Sequence, residues 1–256
     1  MPPHRLHATA LSRDRIDLTQ RTLAVRSLLI APADDAAALA AALASEADAL
    51  VAAFDVETNA GETARANAAR LLQDRSRRKL LARVSPLASG LTDRDLDAAM
   101  SFAPAAILLP QCVGAADVQQ LSVKLAVREA MLGLADGATG ILALVDTAKA
   151  ALAARSLCGA SARLAGIAWD AQALRADVGA EGSRDGAPSG AVRLARDLAL
   201  LAAAAARVPA FDAASAADGE ALRAEALAAR RDGFAGKLAR DPAQAAVINA
   251  AFGAKG

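Results

Sequence analysis

Asp146 ends an uninterrupted apolar run, Ile141-Leu142-Ala143-Leu144-Val145. Such a run reads as a buried strand, and a carboxylate at its end is delivered to the mouth of a pocket. The other reading of Asp146 is a helix cap ahead of Thr147-Ala148. Arg83 sits near the end of a second run, Lys79–Val84. A guanidinium there has two natural partners, a substrate carboxylate or an acid from the preceding strand. Asp55, carried by the run Leu50–Val56, and Glu57 just beyond it are such acids. Arg26 lies inside the first run, Leu23–Ala31, and the same two readings apply to it. Both histidines, His4 and His7, fall in the first segment of the chain. With no other ligands near them they read as surface residues rather than a metal pair. Proton transfer would then fall to Asp55, Glu57, Asp146, Asp170, Asp241 or water.

The elements that must position these groups alternate regularly. Strands are predicted at Leu23–Ala31, Leu50–Val56, Lys79–Val84, Ala105–Leu109, Ile141–Val145, Leu164–Trp169, Val208–Phe211 and Gly236–Leu238. Pro32, Pro86 and Pro110 close three of them. Helices are expected between them, including Asp35–Ala49 capped by Asp34, Ala115–Leu134, Thr147–Leu157, Ala191–Ala206 and Asp218–Arg231, with Pro242–Phe252 closing the chain. A Gly/Ser-rich span, Gly179–Gly190, reads as a loop over the mouth. Apolar strands alternating with helices imply a parallel sheet buried by helices. The fold class is therefore α/β, a single (β/α)8 TIM barrel with a parallel eight-stranded sheet. The domain division is an N-terminal extension, residues 1–22, followed by the barrel, residues 23–256.

Composition narrows the function. The chain has 256 residues, near the length of one such barrel, and 55% of them are hydrophobic. Net charge is +1 and aromatics make up only 2%, so neither the basic footprint nor the stacking platform of a nucleic-acid binder is present. No apolar stretch has the length and character of a membrane span or a signal-peptide core. A cytoplasmic location follows. Cys112 and Cys158 are far apart and read as two reduced core thiols.

From Arg26 to Phe252 the chain resembles the citrate lyase beta-subunit-like family of 2-oxo acid and phosphoenolpyruvate-binding barrels. Six segments carry the resemblance: Arg26-Ser27-Leu28-Leu29-Ile30-Ala31-Pro32-Ala33, Arg83-Val84-Ser85-Pro86, Leu108-Leu109-Pro110, Leu144-Val145-Asp146-Thr147-Ala148, Pro209-Ala210-Phe211-Asp212, and Gly236-Lys237-Leu238-Ala239-Arg240-Asp241-Pro242-Ala243-Gln244. Each is weak alone, and they occur in the family's order. The resemblance implies cleavage or formation of a carbon–carbon bond beside a carboxylate, in a 2-oxo acid or an acyl-CoA of the citryl-, malyl- or citramalyl-CoA type. It implies a divalent metal, Mg2+, and assembly as a homo-oligomer, a trimer or hexamer. A hard cation with few protein carboxylates leaves positions open for an oxo acid and stabilises an enolate.

The resemblance also assigns residues. Arg83 would clamp the substrate carboxylate, and Asp55 and Glu57 would serve catalysis, while Arg26 is a substrate-binding candidate from its own place in the first run. Asp146 would be a metal ligand in place of a longer glutamate. The family's second metal ligand falls on Ala173, which carries no donor, and Asp170, three residues earlier, is the substitute. Gln111 replaces a lysine, Ser85 an asparagine and Asp241 a histidine. The reading is a divergent carbon–carbon lyase or aldolase. The alternative is a non-catalytic barrel that binds an organic acid or acyl-CoA, or acts as a partner subunit.

Overall fold

The computed structural model describes residues 23–55, 63–64, 66–67, 79–181 and 189–253. Eight parallel strands close into a barrel in chain order: β1 Ser27–Pro32, β2 Ala49–Ala53, β3 Lys79–Arg83, β4 Ala106–Leu109, β5 Gly140–Val145, β6 Leu164–Trp169, β7 Ala210–Asp212 and β8 Gly236–Ala239. β8 pairs back onto β1. Every pairing is parallel, so all eight carboxyl ends lie on one face. Helices cover the outside: α1 Ala36–Ala44, α2 Thr92–Ala99, α3 Ala115–Met131, α4 Ala148–Ala153, α5 Ala171–Asp177, α6 Gly190–Ala206, α7 Gly219–Asp232 and α8 Pro242–Gly253.

Strand side chains alternate between two buried layers, as period-two geometry demands. Leu28, Val51, Leu81, Leu108, Leu142, Leu144, Phe211 and Leu238 fill the barrel interior. Leu29, Leu50, Ile107, Ile167 and Trp169 face the helices. This parity decides which residues past the strand ends reach the mouth.

β6 breaks the alternation once. Ile141 pairs with Leu164, but Leu142 pairs with Gly166, so Ala165 is an extra residue. Bulges of this kind re-aim the side chains beyond them. Leu164 faces the helices, Ala165 and Ala168 face inward, and Trp169 faces the helices again. Gly166 has no room for a side chain: a Cβ there would lie 2.9 Å from Leu142 Cδ1 and 3.0 Å from Phe211 Cε2.

Several expected boundaries move. Arg26 precedes β1 rather than lying within it. The first helix ends at Ala44, and Ala49 instead begins β2. Asp35, not Asp34, caps that helix, accepting from Ala37 N and Ala38 N at 2.9 Å each. α5 was not expected at all. Cys112 is buried as predicted, whereas Cys158 is exposed and so is no core thiol. Residues 1–22 and most of the span expected to loop over the mouth lie outside the described residues. No helix of the described residues is long and apolar enough to cross a membrane.

The amino-terminal face is locked by a buried ion pair. Arg163, just before β6, meets both oxygens of Glu129 on α3 at 2.8 and 2.7 Å. Glu129 also accepts from Gly137 N and Thr139 N at the entry to β5. Glu129 has no exposed surface, so this full set of partners is what permits its charge inside.

Candidate active site at the barrel mouth

Inward parity continues past the strand ends. It carries Asp146 beyond Leu144, Asp170 beyond Ala168, Arg83 beyond Leu81 and Arg240 beyond Leu238. All four reach the carboxyl face, where active sites of such barrels are built.

Asp146 is held by one donor. The Gln111 N–H lies 2.9 Å from its Oδ1 and 3.0 Å from its Oδ2. Gln111 follows Pro110 at the end of β4 and has φ +49, a left-handed conformation that a non-glycine residue adopts at a cost. Asp146 does not cap the following helix. Thr147 does, accepting from Ala150 N at 3.1 Å. The Asp146 carboxyl is therefore left for the mouth. Burial pushes its pKa up to about 6, Asp170 adds to the rise, and the Gln111 N–H and Arg83 oppose it.

Asp170 stands level with Asp146. Val145 pairs with Trp169, so the two acids are next in register on adjacent strands, about 4.8 Å apart along the hydrogen-bonding direction. The Asp170 N–H donates to the Val145 carbonyl at 3.1 Å. Its Oδ1 caps α5, accepting from Gln172 N at 2.9 Å and Ala173 N at 3.0 Å. No hydrogen bond among the described residues engages Oδ2.

Arg83 ends β3 and meets the strand-two acid: its Nε lies 2.8 Å from Asp55 Oδ2. The contact is close but poorly aligned, so the buried Nε has no hydrogen-bond acceptor of good geometry. Burial raises the Asp55 pKa, Asp95 adds to it, and Arg83 works against both. Asp95 is itself buried on α2 and accepts from Ser85 N at 2.8 Å. A cavity of about 310 Å3 opens beside the mouth, lined in part by Pro86, Pro110, Gln111, Thr147, Lys149 and Asp177.

The remaining predicted residues do not join this group. Arg26 lies at the opposite, amino end of the sheet, separated by the length of a strand, roughly 20 Å. It makes a forked pair with Asp48, at 2.8 Å from Nε and 2.8 Å from Nη2. A substrate-binding role at the mouth is therefore corrected by the strand direction. Asp241 caps α8, accepting from Ala243 N at 2.8 Å. Glu57 lies outside the described residues. Three participants went unnoticed in the sequence: the Gln111 N–H, Asp95 and Arg240. Only Gln111 had a signal, its place after a strand-ending proline.

A family model for HpcH/HpaI aldolase/citrate lyase matches residues 26–242. The chain belongs to the HpcH/HpaI aldolase/citrate lyase family. It is 31% identical over 233 residues to the citrate lyase subunit beta of Escherichia coli strain K12, covering 88% of this chain and 76% of that protein. The citrate lyase beta subunit from Mycobacterium tuberculosis complexed with oxaloacetate and magnesium aligns with TM-score 0.71 at 27% identity, over 93% of this chain and 99% of that one. The protein CitE from the same organism, in complex with magnesium, acetoacetate and coenzyme A, aligns with TM-score 0.72 at 27% identity, over 90% and 82%. Both of those solved structures contain magnesium together with a small organic acid.

The donors in this chain meet that requirement narrowly. Among the described residues no three His, Cys, Asp or Glu side chains gather into a metal-holding group. Magnesium commonly takes one or two protein carboxylates and draws its other ligands from substrate and water. Asp146 and Asp170, level and facing inward with Oδ2 of Asp170 outside its cap, fit that two-carboxylate pattern. Ala173 offers only its backbone N–H, which Asp170 already uses.

Proposed function

We propose that this barrel is a divergent carbon–carbon lyase or aldolase. Its substrate would be a 2-oxo acid product's hydroxy-acid precursor, free or as an acyl-CoA of the citryl-, malyl- or citramalyl-CoA type. The observation that carries the reading is the level pair Asp146 and Asp170 at the mouth with Arg83. The 310 Å3 cavity beside Asp146 gives room for a substituent on the cleaved carbon.

Asp146 and Asp170 would hold the magnesium ion, which when bound supplies a Lewis acid for the oxygens of the oxo acid. Arg83 binds the substrate carboxylate, using guanidinium N–H groups that Asp55 does not align with. Asp55, its pKa raised by burial, takes the proton from the hydroxyl on the carbon beside that carboxylate. The carbon–carbon bond then breaks, the hydroxyl carbon becomes the 2-oxo carbon, and the electron pair leaves with the other carbon as an enolate. Reprotonation of that carbon completes the products. Glu57 remains a candidate for that proton.

One observation favours a second reading. Asp170 spends Oδ1 on its helix cap, and Ala173 has no side-chain donor. A non-catalytic barrel that binds an organic acid or acyl-CoA, or serves as a partner subunit, would need no more. Cytoplasmic location and homo-oligomeric assembly, as a trimer or hexamer, belong to both readings. Val123, Val127 and Met131, exposed at helical spacing on α3, support the assembly.

Calorimetric titration of magnesium with and without oxaloacetate or pyruvate, on wild type and Asp146→Ala, separates the two. The lyase reading expects metal-dependent binding of the oxo acid, lost in Asp146→Ala. Absence of metal binding in every combination would leave the non-catalytic barrel.

A further inference from the structure

The mouth is short of positive charge for an anionic substrate. Asp55, Asp146 and Asp170 bring three carboxylates to it, and Arg83 is already within 2.8 Å of one of them. Lys149 lines the adjoining cavity, and Arg240 is another cation near the mouth. It follows β8 at the inward parity set by Leu238. Its backbone is fixed, since its N–H donates to Gln244 Oε1 at 2.9 Å. Its side chain reaches past the end of β7 to α5, where Nη1 donates to Gln172 Oε1 at 3.2 Å. Gln172 is in turn tied to the mouth, because its own N–H donates to Asp170.

Among the described residues Arg240 makes no ion pair, and its one side-chain partner is a neutral amide. A guanidinium held in place by a neutral acceptor keeps its charge and most of its fork of donors for an anion. Arg83 ends β3 and Arg240 follows β8, and the two strands are three steps apart around the ring. An acid with one carboxylate on Arg83 would therefore present a second carboxylate across the mouth to Arg240.

We propose that Arg240 is a specificity-determining residue that binds a second, distal carboxylate and makes the site selective for dicarboxylic over monocarboxylic oxo acids. This rests on the reading of the mouth as an oxo-acid site.

The test is binding of oxaloacetate and of pyruvate to the full chain with magnesium, by calorimetry, for wild type, Arg240→Leu and Arg240→Lys. Wild type is expected to favour oxaloacetate. In Arg240→Leu the oxaloacetate-to-pyruvate affinity ratio should fall about tenfold or more, as for loss of one charge-assisted hydrogen-bonded contact. Arg240→Lys should restore part of the ratio. A generally weakened fold would lower both affinities and leave the ratio in place. A ratio unchanged in Arg240→Leu, with pyruvate still bound, overturns the assignment of Arg240 and spares the oxo-acid site. Failure of wild type to bind either acid overturns both.

Discussion

At the scale of single residues, Asp146 shows how one backbone contact shapes a group's chemistry. The Gln111 N–H gives its carboxylate one donor, which is too little to offset its burial, and its pKa stays near 6. Once the chain unfolds, the group returns to the ordinary value near 4. The folded state therefore binds this proton more tightly than the unfolded one. The stabilisation is complete below about pH 4 and is lost as pH rises through about 6. Asp146→Asn is uncharged throughout and lacks this dependence. In magnesium-free buffer the variant should gain on wild type between pH 4 and pH 7 by about 3 kcal/mol. Paired thermal melts across that range measure it, and a gap that does not change with pH would mean the carboxyl titrates normally. Asp170, one strand away, has different hydrogen-bond partners: its Oδ1 takes two N–H groups of its own helix, a typical capping arrangement. Which of the two acids capped a helix was not legible in the sequence. Both precede a helical stretch, and the choice of Thr147 over Asp146 depends on where the strand stops.

At the scale of elements, the eight strands were legible because their apolar runs are continuous, which is how strands buried on both faces must read. β6 emerged at its true ends, Leu164–Trp169. α5 did not emerge. Its seven residues are short and rich in alanine, and they merge into the Gly/Ser-rich span that follows. Arg26 was misplaced for a related reason: nothing in Leu23–Ala31 marks where pairing begins, so an arginine at the entry to a strand read as one within it. The parity of β6 was hidden too, because the extra residue, Ala165, is one more apolar residue in a continuous apolar run, Leu164–Trp169. Gly166 is the one trace of it. Gly166→Ala would push a methyl group into Leu142 and Phe211 inside the barrel, with the Pro209 carbonyl 3.2 Å away. We expect a loss of about 1–3 kcal/mol from such overpacking. Urea unfolding would show it as a lower midpoint with an unchanged slope, and an unchanged midpoint would mean the bulge relaxes to admit the methyl group.

At the scale of the whole molecule, stability and chemistry are placed at opposite ends of the barrel. The amino face carries Arg26–Asp48 and the buried Glu129–Arg163 pair, and the carboxyl face carries the groups at the mouth. Arg163→Met would strand the Glu129 carboxylate in a site without exposed surface. About 3–5 kcal/mol should be lost, as when one member of a buried pair is removed. Removing the exposed Arg223–Glu220 pair should cost at most about 1 kcal/mol. Chemical denaturation of both variants tests the contrast, and similar losses would mean that Glu129 takes up its proton without harm. The extra residue in β6 has a different kind of consequence. Deleting Ala165 would restore regular alternation, because Leu164 would keep Ile141 and Gly166 would keep Leu142 as partners. Trp169 would stay beside Val145, facing the helices, and Asp170 would stay at the mouth. A chain of this kind can therefore gain or lose one codon early in the strand without moving the acid at its reactive centre, because the bulge takes up the extra residue.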